Sequence, residues 1–413
     1  MRPSAVLSIV VLLTGQAACA ESGLPKTTRL LTKGAQRVRI VCFGDSITGV
    51  YYHTGGRRAW TDMLGIALQR VYPKAKLQMF NAGISGHTSA QGLKRIKRDV
   101  LDRKPHLVVV MFGMNDVVAT PRDTFAGNLR QIVRQCRGVG AEVMLCTPNS
   151  IYPGAGRRPI KRLAEFAATV RGVAAEVSVP LVDCYASYEA VRARDPVAWM
   201  LLMSEDIHPN MNGHKHFAEE ITRVISGKRV SLADVRALEP CIPHTLARLA
   251  KGKPIKLIAM APYDKIVPAV LAKLNPKAKV DVVCWPTKGK SIGELEAYAK
   301  GVRAQKPDLV VIAVPAAVRI DDTERFIRSY FWVMNGSISF GRAEWDVVAV
   351  LPSVTQPAAQ PGQAGSGALA RRIILAQDIG LVERRPGDSR PADQVLLSWF
   401  RTRHKGVRAS VSD

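Results

Sequence analysis

Short β-rich runs alternate with stretches of helical periodicity along the first half of the chain, and this alternation constrains the fold more than any other feature. The runs lie at 38–43, 77–80, 107–112, 142–147 and 180–184. Helical stretches follow at 59–71, 89–101, 124–137, 161–177 and 213–225. A strand followed by a helix of this length returns beside the first strand in the same direction, so the pattern predicts βαβ units. Runs that are almost continuously apolar belong to strands covered on both faces. The expectation is an α/β fold with one parallel sheet between two helical layers.

The second half repeats the first. Pro73-Lys74-Ala75-Lys76 returns as Pro276-Lys277-Ala278-Lys279, and Lys104-Pro105-His106-Leu107 returns as Lys306-Pro307-Asp308-Leu309. The runs at 38–43 and 142–148 have counterparts at 255–260 and 346–352. A period of about two hundred residues is far longer than the ~20–50 of a solenoid and predicts two copies of one domain. The expected boundaries are a targeting segment at 1–20, a first domain at 21–230, a connector at 231–252 and a second domain at 253–413. The Pro/Gln/Gly/Ala-rich stretch at 352–367 reads as a long loop before the last helices.

Composition narrows the class. A hydrophobic content of 47% over 413 residues can build more than one core, which excludes a disordered, collagen-like or small disulfide-framework protein. Lys and Arg number 59 against 34 Asp and Glu, a formal net charge of +25. That excess is spread over both halves, whereas a nucleic-acid arm would concentrate it, so no nucleic-acid partner is expected. Arg2, the apolar stretch 5–13 and Ala18-Cys19-Ala20 read as a secretory signal cleaved after Ala20. The stretch falls short of the ~20 residues that span a bilayer, so the expectation is a secreted or periplasmic protein with no membrane span. Cleavage leaves Cys42, Cys136, Cys146, Cys184, Cys241 and Cys284. Cys42, Cys146 and Cys284 lie in apolar runs and are expected as buried core residues, and no C-x-x-C pair occurs.

The first run ends in Gly44-Asp45-Ser46-Ile47-Thr48. A serine there, at the turn from strand into helix, lies where open parallel sheets place ligands, with its N–H at a helix N-terminus suited to developing negative charge. Asn81-Ala82-Gly83-Ile84-Ser85-Gly86 follows the second run and Gly113-Met114-Asn115-Asp116 the third. Glu205-Asp206-Ile207-His208-Pro209 precedes the last helix of the first half. Together these four blocks resemble the GDSL-type, or SGNH, hydrolase family of esterases. The resemblance implies a flavodoxin-like three-layer α/β/α sandwich, here present twice. It implies Ser46 as nucleophile, His208 as base, and an oxyanion hole from Ser46 N–H, Gly83 N–H and the Asn115 amide, with no cofactor and no metal.

Chemistry explains why the four places are needed together. A serine hydroxyl attacks well only when a base takes its proton, and histidine does this near neutral pH. The tetrahedral intermediate then needs donors already in place. The family carries Asp three residues before the histidine; this chain has Glu205 there, so Glu205 is the favoured orienting acid and Asp206 the alternative. His214 and His216 are spaced by two and share no helical face, which argues against a metal site. Tyr51, Tyr52, His53, Arg57, Arg58 and Trp60 follow the serine closely; sugar stacking would suit the aromatic ones, with ordinary packing the plainer expectation. Asp45 and Asp116 are expected to brace turns, and His87 to brace its loop, with contact to the substrate as the alternative.

In the second half, Tyr263, Pro286 and Ala317 stand at the positions of Ser46, Gly83 and Asn115, and no D-x-x-H follows. This half is expected to be a degenerate, non-catalytic copy that acts as a packing partner or a polysaccharide platform. The chain as a whole is expected to be a secreted serine esterase that removes a small acyl group, an acetyl above all, from a carbohydrate or similar small-molecule or polymeric ester. The basic surface favours an anionic substrate. Alternatives are a lysophospholipase or thioesterase, and a non-catalytic glycan-binding protein.

Overall fold

The computed structural model describes residues 23–356 and 364–409, so the targeting segment read at 1–20 lies outside the described residues. Ten strands form two parallel sheets. The first comprises β1 (Arg37–Gly44), β2 (Lys76–Gly83), β3 (Leu107–Met111), β4 (Glu142–Cys146) and β5 (Leu181–Val182) in the order β2-β1-β3-β4-β5. The second comprises β6 (Ile255–Met260), β7 (Val280–Trp285), β8 (Leu309–Ile312), β9 (Asp346–Val350) and β10 (Gly380–Val382) in the order β7-β6-β8-β9-β10. The order is the same in both, and in each the direction of winding reverses at the first strand, the switch point where such sheets open a crevice.

Strands β3 and β8, buried at every residue, are the all-apolar runs that need a covering layer on both sides. In the first half the helices Ser89–Asp99, Arg122–Gly138 and Ile160–Glu176 pack in one row, and Trp60–Val71 packs against Met211–Ser226 in another. The apolar periodicity of these helices matches the expectation to within two residues at each end. Phe43 of β1 and Phe112, the residue just past β3, meet edge to face at 5.1 Å inside the first core.

The duplication extends to individual hydrogen bonds. Lys104 and Lys306 both take the left-handed conformation, with φ of 48° and 47°. Two residues on, His106 Nδ1 accepts the Arg39 N–H at 2.9 Å and Asp308 Oδ2 accepts the Lys256 N–H at 2.8 Å. Glu142 receives the N–H groups of Lys26 and Thr27, which open the helix Pro25–Lys33. Asp346 receives those of His244 and Thr245, which open the helix Pro243–Ala250. A carboxylate at a helix start satisfies donors that have no partner within the helix. The stretch 231–252 is therefore not connector throughout, because its end forms a helix built into the second sheet's fold. Ile242-Pro243-His244-Thr245 repeats Leu24-Pro25-Lys26-Thr27 and was the available signal.

All six described cysteines are free, and five are buried. Cys284 is exposed, contrary to expectation, because β7 is an edge strand with one face in solvent. Among the described residues no helix is long and apolar enough to cross a membrane.

Candidate active site

Register places the functional loops together. Gly44, the last residue of β1, pairs with Gly83 of β2 on one side and Met111 of β3 on the other. The loops that follow these residues carry Ser46, Ser85-Gly86 and Asn115, so three of the four sequence blocks leave the sheet side by side. Ser46 stands on a turn and not at a helix N-terminus as expected: the N–H groups of Thr48 and Gly49 return to Asp45 O, and the next α-helix opens only at Trp60. Asp45 braces this turn by accepting the Ile47 N–H at 2.9 Å. Burial raises its carboxyl to about 7 against the opposing pull of that bond.

Ser46 Oγ lies 2.8 Å from His208 Nε2. On the other side of the ring, His208 Nδ1 meets Glu205 Oε1. A carboxylate only accepts, so Nδ1 carries the proton and Nε2 is left to accept from the serine hydroxyl. Burial works to raise the Glu205 carboxyl, but the bonds from the His208 ring, the His208 N–H and the Ile207 N–H outweigh it and hold it below the usual range. Asp206, the alternative acid, faces away: its carboxylate pairs with Arg328 of the second half.

Asn115 is held by both ends of its amide. Arg158 donates to Oδ1 at 3.0 Å, and Nδ2 donates to His87 O at 3.1 Å, which fixes the amide with its NH2 towards the Ser85–His87 loop. Gly83 departs from expectation, since its N–H donates to Asn81 Oδ1 at 2.9 Å. Its lack of a side chain has another cause: a Cβ there would lie 2.2 Å from Gly49 N, so glycine lets β2 approach the serine turn. The N–H groups of Ser46 and Gly86 have no hydrogen-bond partner among the described residues. Gly86 has φ of +76°, in the left-handed region that favours glycine.

His53 was not given a role by the sequence. Its buried imidazole stacks on that of His208, with centroids 3.7 Å apart and planes inclined by 12°. Burial, then the nearby His208 and His214, hold His53 far below the ordinary histidine range, so it packs as a neutral ring. His53, Glu205 and His208 bring ligand-type atoms within 4.8 Å of one another. Near-parallel rings do not aim their in-plane lone pairs at one point, and both His208 nitrogens already have partners, so the set does not suit a metal ion: Glu205 and His208 are arranged for proton transfer with Ser46, and His53 packs against the ring.

Other expectations are met as packing. Trp60 is buried in the core, and His214 Nδ1 accepts its backbone N–H at 2.8 Å. His216 Nε2 lies 3.1 Å from Ser187 Oγ. Asp116 accepts the Ser89 N–H at 3.0 Å, and His87 Nδ1 accepts from Arg95 at 3.2 Å. Arg95, buried and unremarked in the sequence, also donates to Gly44 O and Ala82 O, both at 2.8 Å, and ties together the ends of β1 and β2.

The second half grips the histidine loop. Asn335, fully buried, donates to Ser204 O at 2.9 Å, and its Oδ1 accepts from Ser204 Oγ at 3.1 Å and from Gln377 Nε2 at 2.7 Å. Gln377 Nε2 reaches Tyr52 O at 2.8 Å. Arg58 forms a two-pronged buried pair with Asp378, at 2.9 and 2.6 Å. Partners this distant in the chain leave no local sequence signal.

A serine, a histidine and a carboxylate in hydrogen-bonded series at the carboxyl end of a parallel sheet define a hydrolase of the serine type. Residues 42–216 match the GDSL-like Lipase/Acylhydrolase family, and the part of the chain that holds the site belongs to it; the protein is an esterase of the GDSL, or SGNH, class. It is 29% identical over 171 residues to an acetylxylan esterase of Geobacillus stearothermophilus, covering 38% of this chain and 76% of the relative. It is 29% identical over 193 residues to thioesterase 1/protease 1/lysophospholipase L1 of Escherichia coli (strain K12), covering 46% and 85%. Among solved structures, a lipase/acylhydrolase from Enterococcus faecalis aligns with 28% identity and a TM-score of 0.41, over 47% of this chain and 97% of that one.

Proposed function

We propose that the enzyme hydrolyses a small acyl ester, an acetyl above all, carried by a carbohydrate. The observation that carries the mechanism is the 2.8 Å approach of Ser46 Oγ to His208 Nε2 with Glu205 behind the ring. Ser46 attacks the acyl carbon while His208 takes its proton; the alcohol leaves with that proton, and water then releases the acyl group from Ser46 by the reverse sequence. Glu205 keeps the imidazole in the required tautomer and balances its positive charge. The oxyanion is received by the Ser46 N–H, the Asn115 amide and the Gly86 N–H, which takes the place first given to Gly83.

The carbohydrate reading draws on the acetylxylan esterase among the relatives, and the broad positive charge would favour an anionic glycan. A signal at 1–20 would deliver the enzyme to the periplasm or the exterior, where such polymers lie. The second half, with Tyr263, Pro286 and Ala317 at the three catalytic positions, serves as a non-catalytic partner. The test is a panel of acetylated oligosaccharides, p-nitrophenyl esters of rising chain length and a lysophospholipid, run with wild type and Ser46→Ala. Activity retained by Ser46→Ala removes the mechanism. A marked preference for long chains removes the carbohydrate substrate in favour of the thioesterase or lysophospholipase type.

A further inference from the structure

We propose that Phe340, supplied by the second half, is the stacking wall of a sugar subsite at the mouth of the Ser46 site. The proposal rests on the carbohydrate-ester reading and adds a subsite to it. Phe340 is 53% exposed, although its neighbours Ile338 and Ser339 are buried. The loop beneath it is pinned. Ser337 O accepts the Trp345 indole N–H at 2.7 Å, Ile338 O accepts from Arg303 Nε at 2.7 Å, and Ser339 Oγ accepts the Glu344 N–H at 3.1 Å. Gly341, with φ of +73°, turns the chain just after the ring. A large apolar ring held in water on a fixed loop is a preorganised contact surface, since little freedom remains to be lost on binding.

Two tyrosines connect the ring to the catalytic groups. Its centroid lies 5.5 Å from that of Tyr51 and 5.4 Å from that of Tyr52. The Tyr51 hydroxyl accepts the Ser85 N–H at 3.0 Å, one residue before Gly86. Tyr52 packs on His53 at 3.9 Å, and His53 stacks on His208. One tyrosine therefore separates Phe340 from the oxyanion loop, and a second leads through His53 to the base. A pyranose offers an apolar C–H face and a rim of hydroxyls that stay hydrated, which suits an aromatic face open to solvent. An acyl chain, apolar all round, would need an enclosed groove instead. The two halves would then share one substrate, with the first cleaving the ester and the second holding a neighbouring sugar.

The test uses the full chain with Phe340→Ala and Phe340→Tyr, assayed on acetylated xylo-oligosaccharides and on p-nitrophenyl acetate. Phe340→Ala is expected to lose about tenfold in kcat/KM on the oligosaccharide, chiefly through KM, a change equivalent to ~1.4 kcal/mol of binding. Its activity on p-nitrophenyl acetate should stay within about twofold of wild type, and Phe340→Tyr should keep both activities. Equal losses on the two substrates would mean that the ring only supports Tyr51 and Tyr52, and no loss on the oligosaccharide would mean that no sugar rests there; either overturns the proposal. If wild type cleaves long-chain esters and no acetylated oligosaccharide, the carbohydrate reading itself fails. A Phe340→Ala loss confined to those long chains would then make the ring an acyl wall and overturn the subsite as well.

Discussion

A single oxygen of Glu205, Oε1, receives both the ring Nδ1–H and the backbone N–H of His208. The carboxylate thereby fixes the loop and the imidazole together, and the longer glutamate reaches the ring by folding back over its own turn. Met203 and Pro209 close that turn as a bridge, and the Ser204 N–H donates to His208 O at 2.8 Å. Asp206 leaves on the opposite side to Arg328. One residue of offset thus separates an acid that orients the base from one that joins the two halves.

Glu205→Gln removes the negative charge behind the imidazolium while keeping the side-chain length. It should lower kcat by about 10²–10⁴ with little change in KM, while Asp206→Asn should cost no more than about threefold. Steady-state kinetics of the two variants decides between the acids, and equal losses would count against Glu205. The same change alters acid stability. Glu205 is depressed when folded, so its contribution is complete above the unfolded value of about 4.3 and is lost as pH falls through the folded value. Urea unfolding of Glu205→Gln should lack that part of the acid slope.

Asn115 and Gly83 separate donation from packing. Asn115→Ala removes the proposed oxyanion donor and should cost about 10²–10³ in kcat, in the range of ~2.7–4 kcal/mol. Because it also takes a partner from Arg158 and from His87 O, the melting temperature should fall modestly. Gly83→Ala places a methyl against Gly49 N and the Thr48 carbonyl carbon, both backbone, and must push β2 away from the serine turn. Its main effect should be a lower melting temperature, followed by thermal scanning. A Gly83→Ala protein of full stability and low kcat would return the donor role to Gly83.

What the sequence made legible was periodic or local. The apolar run specified β3 because a strand buried on both faces must be apolar throughout, and the motif at 205–209 brought acid and histidine together because they share one turn. The packing constraint on Gly83 is hidden in the sequence because a required glycine looks the same whether a substrate or another backbone approaches it. The grip of Asn335 on Ser204, across 131 positions, and the stacking of His53 on His208 arise only when separate elements meet.

Asn335 ties the second half to the histidine loop of the first. Its side chain closes on both polar groups of Ser204, four residues before the base, with no solvent exposure. Asn335→Leu leaves Ser204 O buried without that partner, at a cost of about 1–3 kcal/mol. The variant should melt earlier and also lose kcat more than KM rises, because the histidine loop loosens. Asn335→Asp keeps an acceptor for Ser204 Oγ but sets a buried carboxylate against Ser204 O, and should melt at least as early as Asn335→Leu. Unchanged kcat in a destabilised Asn335→Leu protein would confine the residue to stability.

His214 should set much of the pH response of the fold. It is fully buried, and burial, followed by the charge of His208, lowers it to about 3. Its Nδ1 accepts the Trp60 N–H, so protonation would both bury a charge and remove the acceptor at the start of a core helix. The unfolded chain takes up this proton near 6.5 and the folded one does not, so stability is complete above about 6.5 and falls with pH towards about 3. Denaturant midpoints measured from about pH 7 to about pH 5 should therefore decline in wild type. His214→Asn, which offers an oxygen to the same N–H and takes up no proton, should decline less. His53 contributes with the same sign, so the difference between the two proteins, not the wild-type slope alone, isolates His214. Identical slopes would mean that His214 is not held neutral in the core.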